Sequence, residues 1–271
     1  MRIPSILSLG ALLSPILACP DHSNNKLLLK RAEISDNATA KWAYEASFNW
    51  GKLDPAYALC QNGTQQSPIA LSLSNGLSLN HVPEFNYPSN VTGNFFNWGY
   101  GPAFTVAHDE AKGWEAHPSF TYDNTTVYLK GWHIHAPADH TVAMVRSRAE
   151  LHLVHVDASG HEAAVLAIRL DPGNRDSSFF SLLPPMIGFN DVTTQVQTNI
   201  DLNSLLEAVH MFDEFWTYRG SLTSPPCTEG IRWFMARQIC YVGVGQMQGI
   251  LGASTYSARA EQAVWQHRIN E

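Results

Sequence analysis

Two short histidine-containing stretches in β-like sequence constrain this chain more than any other feature. The first, at residues 132–135, reads Trp-His-Ile-His, and the second, at residues 150–152, reads Glu-Leu-His. Successive side chains of a strand point to opposite faces, so His133 and His135 share one face, and Glu150 and His152 likewise share a face. If the two stretches are nearby strands of one sheet, three imidazoles converge on one point.

This predicted convergence indicates a metal site. Three imidazoles with one open position form the ligand set of a catalytic zinc, whereas structural zinc sites are closed and usually contain thiolates. Glu150 is placed to accept the second ring proton of an imidazole and to fix its tautomer. A His-X-His pair alone is more often an ordinary pair of polar residues, and the second stretch strengthens the case for Zn2+.

The composition favours one large domain. The 271 residues are 45% hydrophobic and include 8 Trp and 12 Phe, which is ample for a well-filled core. The formal net charge is −7 and there is no basic stripe, which argues against a nucleic-acid partner. Apart from the N-terminal residues, no apolar run is long enough to form a transmembrane segment.

Residues 1–19 have the pattern of a signal peptide, with Arg2, an apolar run and a small-residue ending near Ala18. Cys19 also allows a bacterial lipoprotein cleavage site as an alternative. The pair Lys30-Arg31 predicts dibasic processing, with a chance basic pair as the alternative. We therefore expect a signal peptide and propeptide over residues 1–31 and one domain over residues 32–271. The expected location is extracellular or in the cell wall.

Two further features fit a secreted protein. The sequence contains Asn-X-Thr acceptors that together favour a eukaryotic secretory glycoprotein, namely Asn37, Asn62, Asn90 and Asn124. The four cysteines fit an oxidising compartment. Removal of Cys19 with the leader would leave Cys60, Cys227 and Cys240, enough for one disulfide and one spare thiol.

The apolar pattern predicts an α+β, sheet-dominated fold. From about residue 65 to residue 170, short apolar runs are separated by Gly, Pro and Asn, as in a sheet with many turns. One of these predicted strands covers residues 142–145. Helical periodicity follows around residues 179–183 and 203–211. Residues 32–48 are polar and are predicted to form an arm.

Four blocks of the sequence together resemble the α-class carbonic anhydrases, in that family's order and spacing. They are Gln-Ser-Pro-Ile at residues 66–69, the segments at residues 132–142 and 150–155, and Gly-Ser-Leu-Thr-Ser-Pro-Pro-Cys-Thr-Glu-Gly at residues 220–230 with Trp233 beyond. The resemblance runs from about Trp50 to Arg268, and with the leader it suggests a secreted, eukaryotic, fungal-type member. It implies a large central, mostly antiparallel twisted sheet with short peripheral helices. It also implies a disulfide between Cys60 and Cys227.

The resemblance implies a zinc lyase that reversibly hydrates carbon dioxide to bicarbonate and a proton, by attack of a zinc-bound hydroxide. His133, His135 and His152 would hold Zn2+, and Glu150 would support them. Thr223 would orient the hydroxide and pass its own proton to Asp139. Residues matching the family's substrate pocket are Val154, Val165, Leu222, Thr223, Ser224, Ile231 and Trp233, although plain core packing explains the apolar ones equally well without the resemblance.

Three positions depart from the family pattern. Asp139 stands where the family has glutamate, which is longer by one methylene, about 1.5 Å in reach. Gly131 replaces a glutamine that supports the first zinc ligand. Pro102 aligns with the proton-shuttle histidine of fast members and carries no proton. We therefore expect an active enzyme whose turnover is limited by proton release.

Two other functions remain as alternatives. A catalytically weakened binding or adhesion module is one, although such modules generally lose a zinc histidine and all three are present. A different zinc hydrolase is the other, but the chain has no His-Glu-X-X-His motif to supply a general base. The expected partner is a small molecule, carbon dioxide or bicarbonate, and the sequence allows either a monomer or a homodimer.

Overall fold

The computed structural model describes residues 42–271. The predicted signal peptide, the dibasic pair Lys30-Arg31 and the acceptor Asn37 lie outside the described residues. The division into a leader over residues 1–31 and a domain over residues 32–271 therefore stays a prediction.

Thirteen strands make up most of the described regular structure. They are β1 (Ala70–Leu71), β2 (Glu84–Asn86), β3 (Val91–Asn97), β4 (Pro102–Val106), β5 (Ser119–Tyr122), β6 (Thr125–His135), β7 (Thr141–Val142), β8 (Ala149–Val156), β9 (Glu162–Gly173), β10 (Gln195–Ile200), β11 (Phe215–Ser221), β12 (Glu229–Ala236) and β13 (Cys240–Gly243).

Eleven of these strands form one sheet, in the order β10-β3-β4-β6-β8-β9-β12-β11. β13 also pairs with β9, and β5 joins β2 to β6. Only the pairings of β9 with β12 and with β13 are parallel, and the other pairings in this sheet are antiparallel. The remaining strands, β1 and β7, form a small parallel pair. The predicted sheet-dominated α+β fold is confirmed.

The helices are short and peripheral. They are α1 (Leu59–Asn62), α2 (Ser178–Ser181), α3 (Asn203–Glu207) and α4 (Val244–Gly252), accompanied by several 3-10 turns. The two predicted helical regions contain α2 and α3. The periodicity did not predict α4, whose sequence contains three glycines, residues that are unfavourable in helices. Within residues 42–271, no helix is long and apolar enough to cross a membrane.

The central strands β6 and β8 separate an apolar core from the functional face. Trp132, Ile134 and their register partners Leu153 and Leu151 pack into the largest hydrophobic cluster. The alternate residues of β6 and β8 face the other side. In this register His133 lies directly opposite His152, because the two strands are antiparallel and in step.

Two predictions were wrong, one for the described part of the predicted arm (residues 42–48) and one for the strand at residues 142–145. The predicted arm over residues 32–48 includes Tyr44, which is 1% exposed, and its ring packs against those of Trp98 and Tyr100. Apolar contact with the body of the domain therefore outweighed the polar local composition. The predicted strand at residues 142–145 ends at Val142, because Ala143 and Met144 adopt positive φ angles in a tight turn.

Candidate metal centre

Three imidazoles meet on the functional face of β6 and β8. The ring centroids of His133, His135 and His152 lie 4.6–5.4 Å apart. One nitrogen of each ring falls within 4.8 Å of the others, and the Nε2 atoms of His133 and His135 are 3.0 Å apart. His135 and His152 are buried, and His133 is partly exposed at the cavity. The strand spacing therefore brings together the three predicted ligands.

Hydrogen bonds fix the tautomers of two of these rings. His135 donates from Nδ1 to the carbonyl oxygen of Ser257 at 2.7 Å, which leaves its Nε2 as a lone pair. His152 donates from Nε2 to Glu150 Oε1 at 2.6 Å, which leaves its Nδ1 as a lone pair. Burial lowers the pKa of His135, which favours the neutral, metal-binding form of the ring. The lone pairs therefore face the centre of the cluster.

Glu150 is the centre of a buried network. Its Oε1 also accepts from His140 Nδ1 at 2.6 Å, and its Oε2 accepts from the His140 backbone N–H at 2.9 Å. Burial alone would raise the pKa of Glu150, but its electrostatic interactions and hydrogen bonds with His140 and His152 lower it well below its usual value. His140 Nε2 lies 2.6 Å from the hydroxyl of Tyr218. The carboxylate is thus ionised and fully used in holding the two imidazoles.

The donor set fits Zn2+. Zinc–nitrogen bonds of about 2.0–2.1 Å in a tetrahedron put ligand nitrogens roughly 3.3 Å apart. The 3.0 Å between His133 Nε2 and His135 Nε2 is close to that spacing. Neutral imidazoles with fixed tautomers and a carboxylate behind one of them are the usual surroundings of a zinc ligand set. The second cluster, His140, Glu150 and His152, is accounted for by the hydrogen bonds inside it.

A narrow cavity opens onto the three imidazoles. Its volume is about 20 Å³, enough for about one water-sized molecule. Tyr44 lines this cavity. So do six of the predicted substrate-pocket residues, namely Val154, Val165, Leu222, Thr223, Ser224 and Trp233. Ile231 is not among the residues that line the cavity, although it is buried in the same hydrophobic cluster as Val154, Val165, Leu222 and Trp233, so its contact with substrate stays a prediction.

Asp139 makes a different contact from the one expected with Thr223. It is fully buried, and its Oδ1 accepts from the backbone N–H of Arg259 at 2.7 Å. Its Oδ2 lies 3.6 Å from His135 Nε2 and has no hydrogen-bond partner among the described residues. No hydrogen bond joins Thr223 to Asp139 within residues 42–271. The shorter side chain therefore reaches the backbone of Arg259 but leaves one oxygen unpaired beside the cavity.

Arg259 supports the site and was missed by the sequence analysis. Its guanidinium is buried and donates to the carbonyl oxygen of Ser67 at 2.7 Å and to Gln66 Oε1 at 2.9 Å. Burial lowers its pKa to about 10, so it stays charged at neutral pH. It lies outside the four recognised blocks, and no local pattern marked it. Its contacts explain why the Gln-Ser-Pro block lies next to the site.

The loop that carries Thr223 is fixed from both ends. Before Thr223, the Ser221 backbone N–H donates to Ser67 Oγ at 3.0 Å, and the Trp233 indole donates to the carbonyl oxygen of Ser221 at 2.9 Å. After Thr223, the structure contains the Cys60–Cys227 disulfide that the resemblance implied, with Cα atoms 5.0 Å apart. Cys240 is a buried free thiol whose pKa is raised to about 11 by burial, as expected for a small core residue.

Steric crowding explains why residue 131 is a glycine. β6 bulges between Leu129 and Gly131 where it pairs with β8, and β4 approaches closely on the other side. A Cβ at residue 131 would lie 2.2 Å from the carbonyl oxygen of Phe104. No longer side chain fits at this point without moving β4. The glutamine of the family pattern is therefore excluded by the local packing of this chain.

The other predicted positions are also placed. Pro102 is buried at the start of β4, and its neighbour across the strand pair is Asn97. Three of the glycosylation acceptors, Asn62, Asn90 and Asn124, are exposed. Their accessibility is compatible with glycans, and their modification stays a prediction.

Comparisons with known proteins agree with this site. A family model described as eukaryotic-type carbonic anhydrase matches residues 45–268. A carbonic anhydrase of Klebsiella pneumoniae is 31% identical over 193 residues, covering 70% of this chain and 74% of the relative. Alpha carbonic anhydrase 6 of Arabidopsis thaliana is 31% identical over 199 residues, covering 71% of this chain and 69% of the relative.

A solved structure shares the architecture. The α-carbonic anhydrase of Thermovibrio ammonificans, in complex with the inhibitor sulfanilamide, superposes with a TM-score of 0.72 at 25% identity, covering 86% of this chain and 99% of the other. Bacterial and plant relatives both match, so the similarity does not single out a fungal type. With its three convergent imidazoles, its buried glutamate and its apolar-walled cavity, the chain belongs to the α-type carbonic anhydrase family, whose members hydrate carbon dioxide.

Proposed function

We propose that this chain is a zinc-dependent carbonic anhydrase that reversibly converts carbon dioxide to bicarbonate and a proton. The observation that carries the proposal is the convergence of three imidazole nitrogens at the floor of a cavity with an apolar wall. Zn2+ held there would supply Lewis-acid chemistry that makes water nucleophilic near neutral pH, for which carbonic anhydrase is the standard example.

Each ligand has a defined role in holding the metal. His133 and His135 present Nε2 and His152 presents Nδ1, because the opposite nitrogen of the last two rings is engaged by Ser257 and Glu150. Glu150 fixes the tautomer and the orientation of His152, and its negative charge increases the basicity of that ligand. Because bound Zn2+ would make water nucleophilic near neutral pH, the site needs no carboxylate as a general base.

The cavity wall selects the substrate. Carbon dioxide is small and uncharged, so it needs an apolar surface next to the reacting oxygen rather than hydrogen bonds. Val154, Val165, Leu222 and Trp233 supply that surface beside the imidazoles. A cavity of about 20 Å³ suits a very small substrate.

Thr223 and Ser224 line the same cavity and are proposed to contact the polar end of substrate and product. Thr223 would accept a hydrogen bond from the attacking oxygen and orient it toward carbon. Asp139 Oδ2 is buried, unpaired and 3.6 Å from His135 Nε2, so it is the acceptor proposed to take the Thr223 proton through a small movement or a bridging water. Asp139 therefore acts as a positioning residue.

The test is zinc content measured together with carbon dioxide hydration by stopped flow. The wild type and His161→Ala should bind about one zinc per chain and be active, because the His161 side chain is 82% exposed and is not part of the imidazole cluster. His152→Ala should lose most of the zinc and the activity. Stoichiometric zinc with no hydration in the wild type would instead support the binding-module alternative, and unchanged zinc in His152→Ala would refute the ligand assignment.

A secreted, glycosylated form is proposed separately. The Cys60–Cys227 disulfide fits an oxidising compartment, and three acceptor asparagines are exposed. Expression in a eukaryotic secretory host should give medium-borne protein that begins at Ala32 and shifts in mass on deglycosylation. Retention inside the cell, or an unshifted mass, would contradict this proposal without affecting the metal site.

A further inference from the structure

A second concavity lies beside the segment that joins His135 to Asp139. It has a volume of about 540 Å³ and is lined by Ala136, Pro137, Arg146, Arg148, Ser254 and Tyr256, among others. None of its lining residues lines the cavity at the imidazoles. Ligand sites for small molecules typically measure about 300–1,000 Å³, so this arginine groove is large enough for one.

The arginine groove has an uncompensated positive charge. Neither Arg146 nor Arg148 forms an ion pair with a carboxylate in the part of the chain that the structure describes. Arg146 donates from Nη1 to the carbonyl oxygen of Ala138 at 2.7 Å, which uses one of the five N–H donors of its guanidinium. The backbone N–H of Arg148 donates to Asp171 Oδ1 at 2.9 Å, while its exposed side chain is free to turn into the groove.

The rest of the groove's lining is amphipathic. Tyr256 is 44% exposed and Leu251 is 38% exposed, so each offers apolar surface to an occupant. Ser254 donates its hydroxyl to the carbonyl oxygen of Ile250 at 2.7 Å, which leaves its oxygen as an acceptor for a ligand hydroxyl. No acidic side chain lines the groove, although the whole protein carries a formal net charge of −7.

We propose that the arginine groove binds a small organic anion through a carboxylate or phosphate group. The two guanidinium groups hold the anionic end by charge-assisted hydrogen bonds, which are roughly twice as strong as neutral ones. The remainder of the ligand packs on Tyr256 and Leu251 and donates a hydroxyl to Ser254. Because the lining residues are distinct from the metal centre, this site does not depend on the proposed hydration activity.

The test is isothermal titration of the zinc-loaded protein with malate in one experiment and glucose 6-phosphate in another. At least one probe should bind at one site per chain, and which of them binds distinguishes a carboxylate ligand from a phosphate ester. Arg148→Gln should weaken that binding by about tenfold or more, since hydrogen bonds to charged groups are lost. Arg148 is exposed and its backbone bond is retained, so this variant should keep its fold.

Two controls distinguish binding in the arginine groove from a general effect of charge and from binding at the metal centre. Arg268→Gln removes the same charge from a side chain that is 80% exposed and lies outside the groove, so it should leave binding within about twofold of the wild type. His152→Ala should bind the probe as the wild type does, because the groove does not include the metal. Absence of binding by both probes, or equal losses in Arg148→Gln and Arg268→Gln, would overturn the proposal, as would loss of binding in a folded His152→Ala protein.

Discussion

Replacing Glu150 by glutamine tests the buried network most directly. The carboxylate accepts three hydrogen bonds, two from His140 and one from His152, at 2.6–2.9 Å. Glutamine has nearly the same shape but no charge, and it has only one acceptor oxygen. If that oxygen serves both imidazoles, the amide NH2 faces the backbone N–H of His140, so one donor meets another donor.

The size of the effect follows from the three contacts. A hydrogen bond to a charged group contributes about 1.5–3 kcal/mol, and a bond between neutral groups about 0.5–1.5 kcal/mol. Weakening two bonds and losing the third should lower the free energy of unfolding by about 2–4 kcal/mol. If the amide turns over, its NH2 faces His152 Nε2 and favours the ring tautomer that cannot bind the metal through Nδ1. Zinc affinity should therefore fall by about 10- to 100-fold.

The assay has two readouts. Zinc affinity is measured by competition with a chelator, and the free energy of unfolding by urea denaturation of the metal-free protein, with the exposed Glu207→Gln as the matched control. Because the folded-state pKa of Glu150 is lowered, its stabilisation is present above the ordinary carboxyl pKa and is lost as pH falls through the folded value. The destabilisation should therefore shrink in acid. Zinc affinity within twofold of the wild type would refute the proposed role of Glu150.

Four further outcomes are expected. With a proline at the shuttle position, turnover in stopped-flow hydration should rise with buffer concentration, and a flat response would contradict limitation by proton release. Thr223→Ala should lower kcat/KM by about 100-fold through lost orientation, and Ser224→Ala by less than about tenfold, so equal effects would remove the orienting role of Thr223. Replacing Cys60 and Cys227 together by serine should lower the free energy of unfolding by about 2–5 kcal/mol in urea melts, and an unchanged midpoint would refute a stabilising disulfide. Burial lowers the pKa of His155 from 6.5 to about 3, so its contribution should decline as pH falls from 6.5 toward 3, and the stability gap between wild type and His155→Gln should narrow over that range.

The imidazole cluster was predictable because strand geometry is local. The two-residue period places His133 with His135 and Glu150 with His152 on shared faces, and an antiparallel pairing in register then brings the two strands together. The same period assigns Trp132 and Ile134 to the core. These inferences need no knowledge of distant segments beyond the pairing itself.

The supporting residues were not predictable in this way. Tyr44 lies in a segment whose composition is polar, yet it lines the cavity and its ring packs edge-on against His135 at 5.8 Å. Arg259 is separated from Ser67 by 192 residues along the chain, and only the folded domain joins them. Ser257 holds His135 through a backbone carbonyl, an interaction that leaves no side-chain signature in sequence. The resemblance alone also does not say which apolar residues reach the cavity, and Ile231 is not among those that line it.

The three departures from the family pattern all lie outside the ligand set. Gly131 removes a supporting side chain, but the tautomers of His135 and His152 are fixed by Ser257 and Glu150, so two of the three lone pairs keep their direction without it. One oxygen of Asp139 accepts a hydrogen bond from the backbone N–H of Arg259, and the other is unpaired. This difference affects the orientation of Thr223 rather than the metal. The missing shuttle histidine affects only the exit of the proton. It follows that zinc affinity should resemble that of an intact site, while the departures should appear in kcat and in its dependence on buffer.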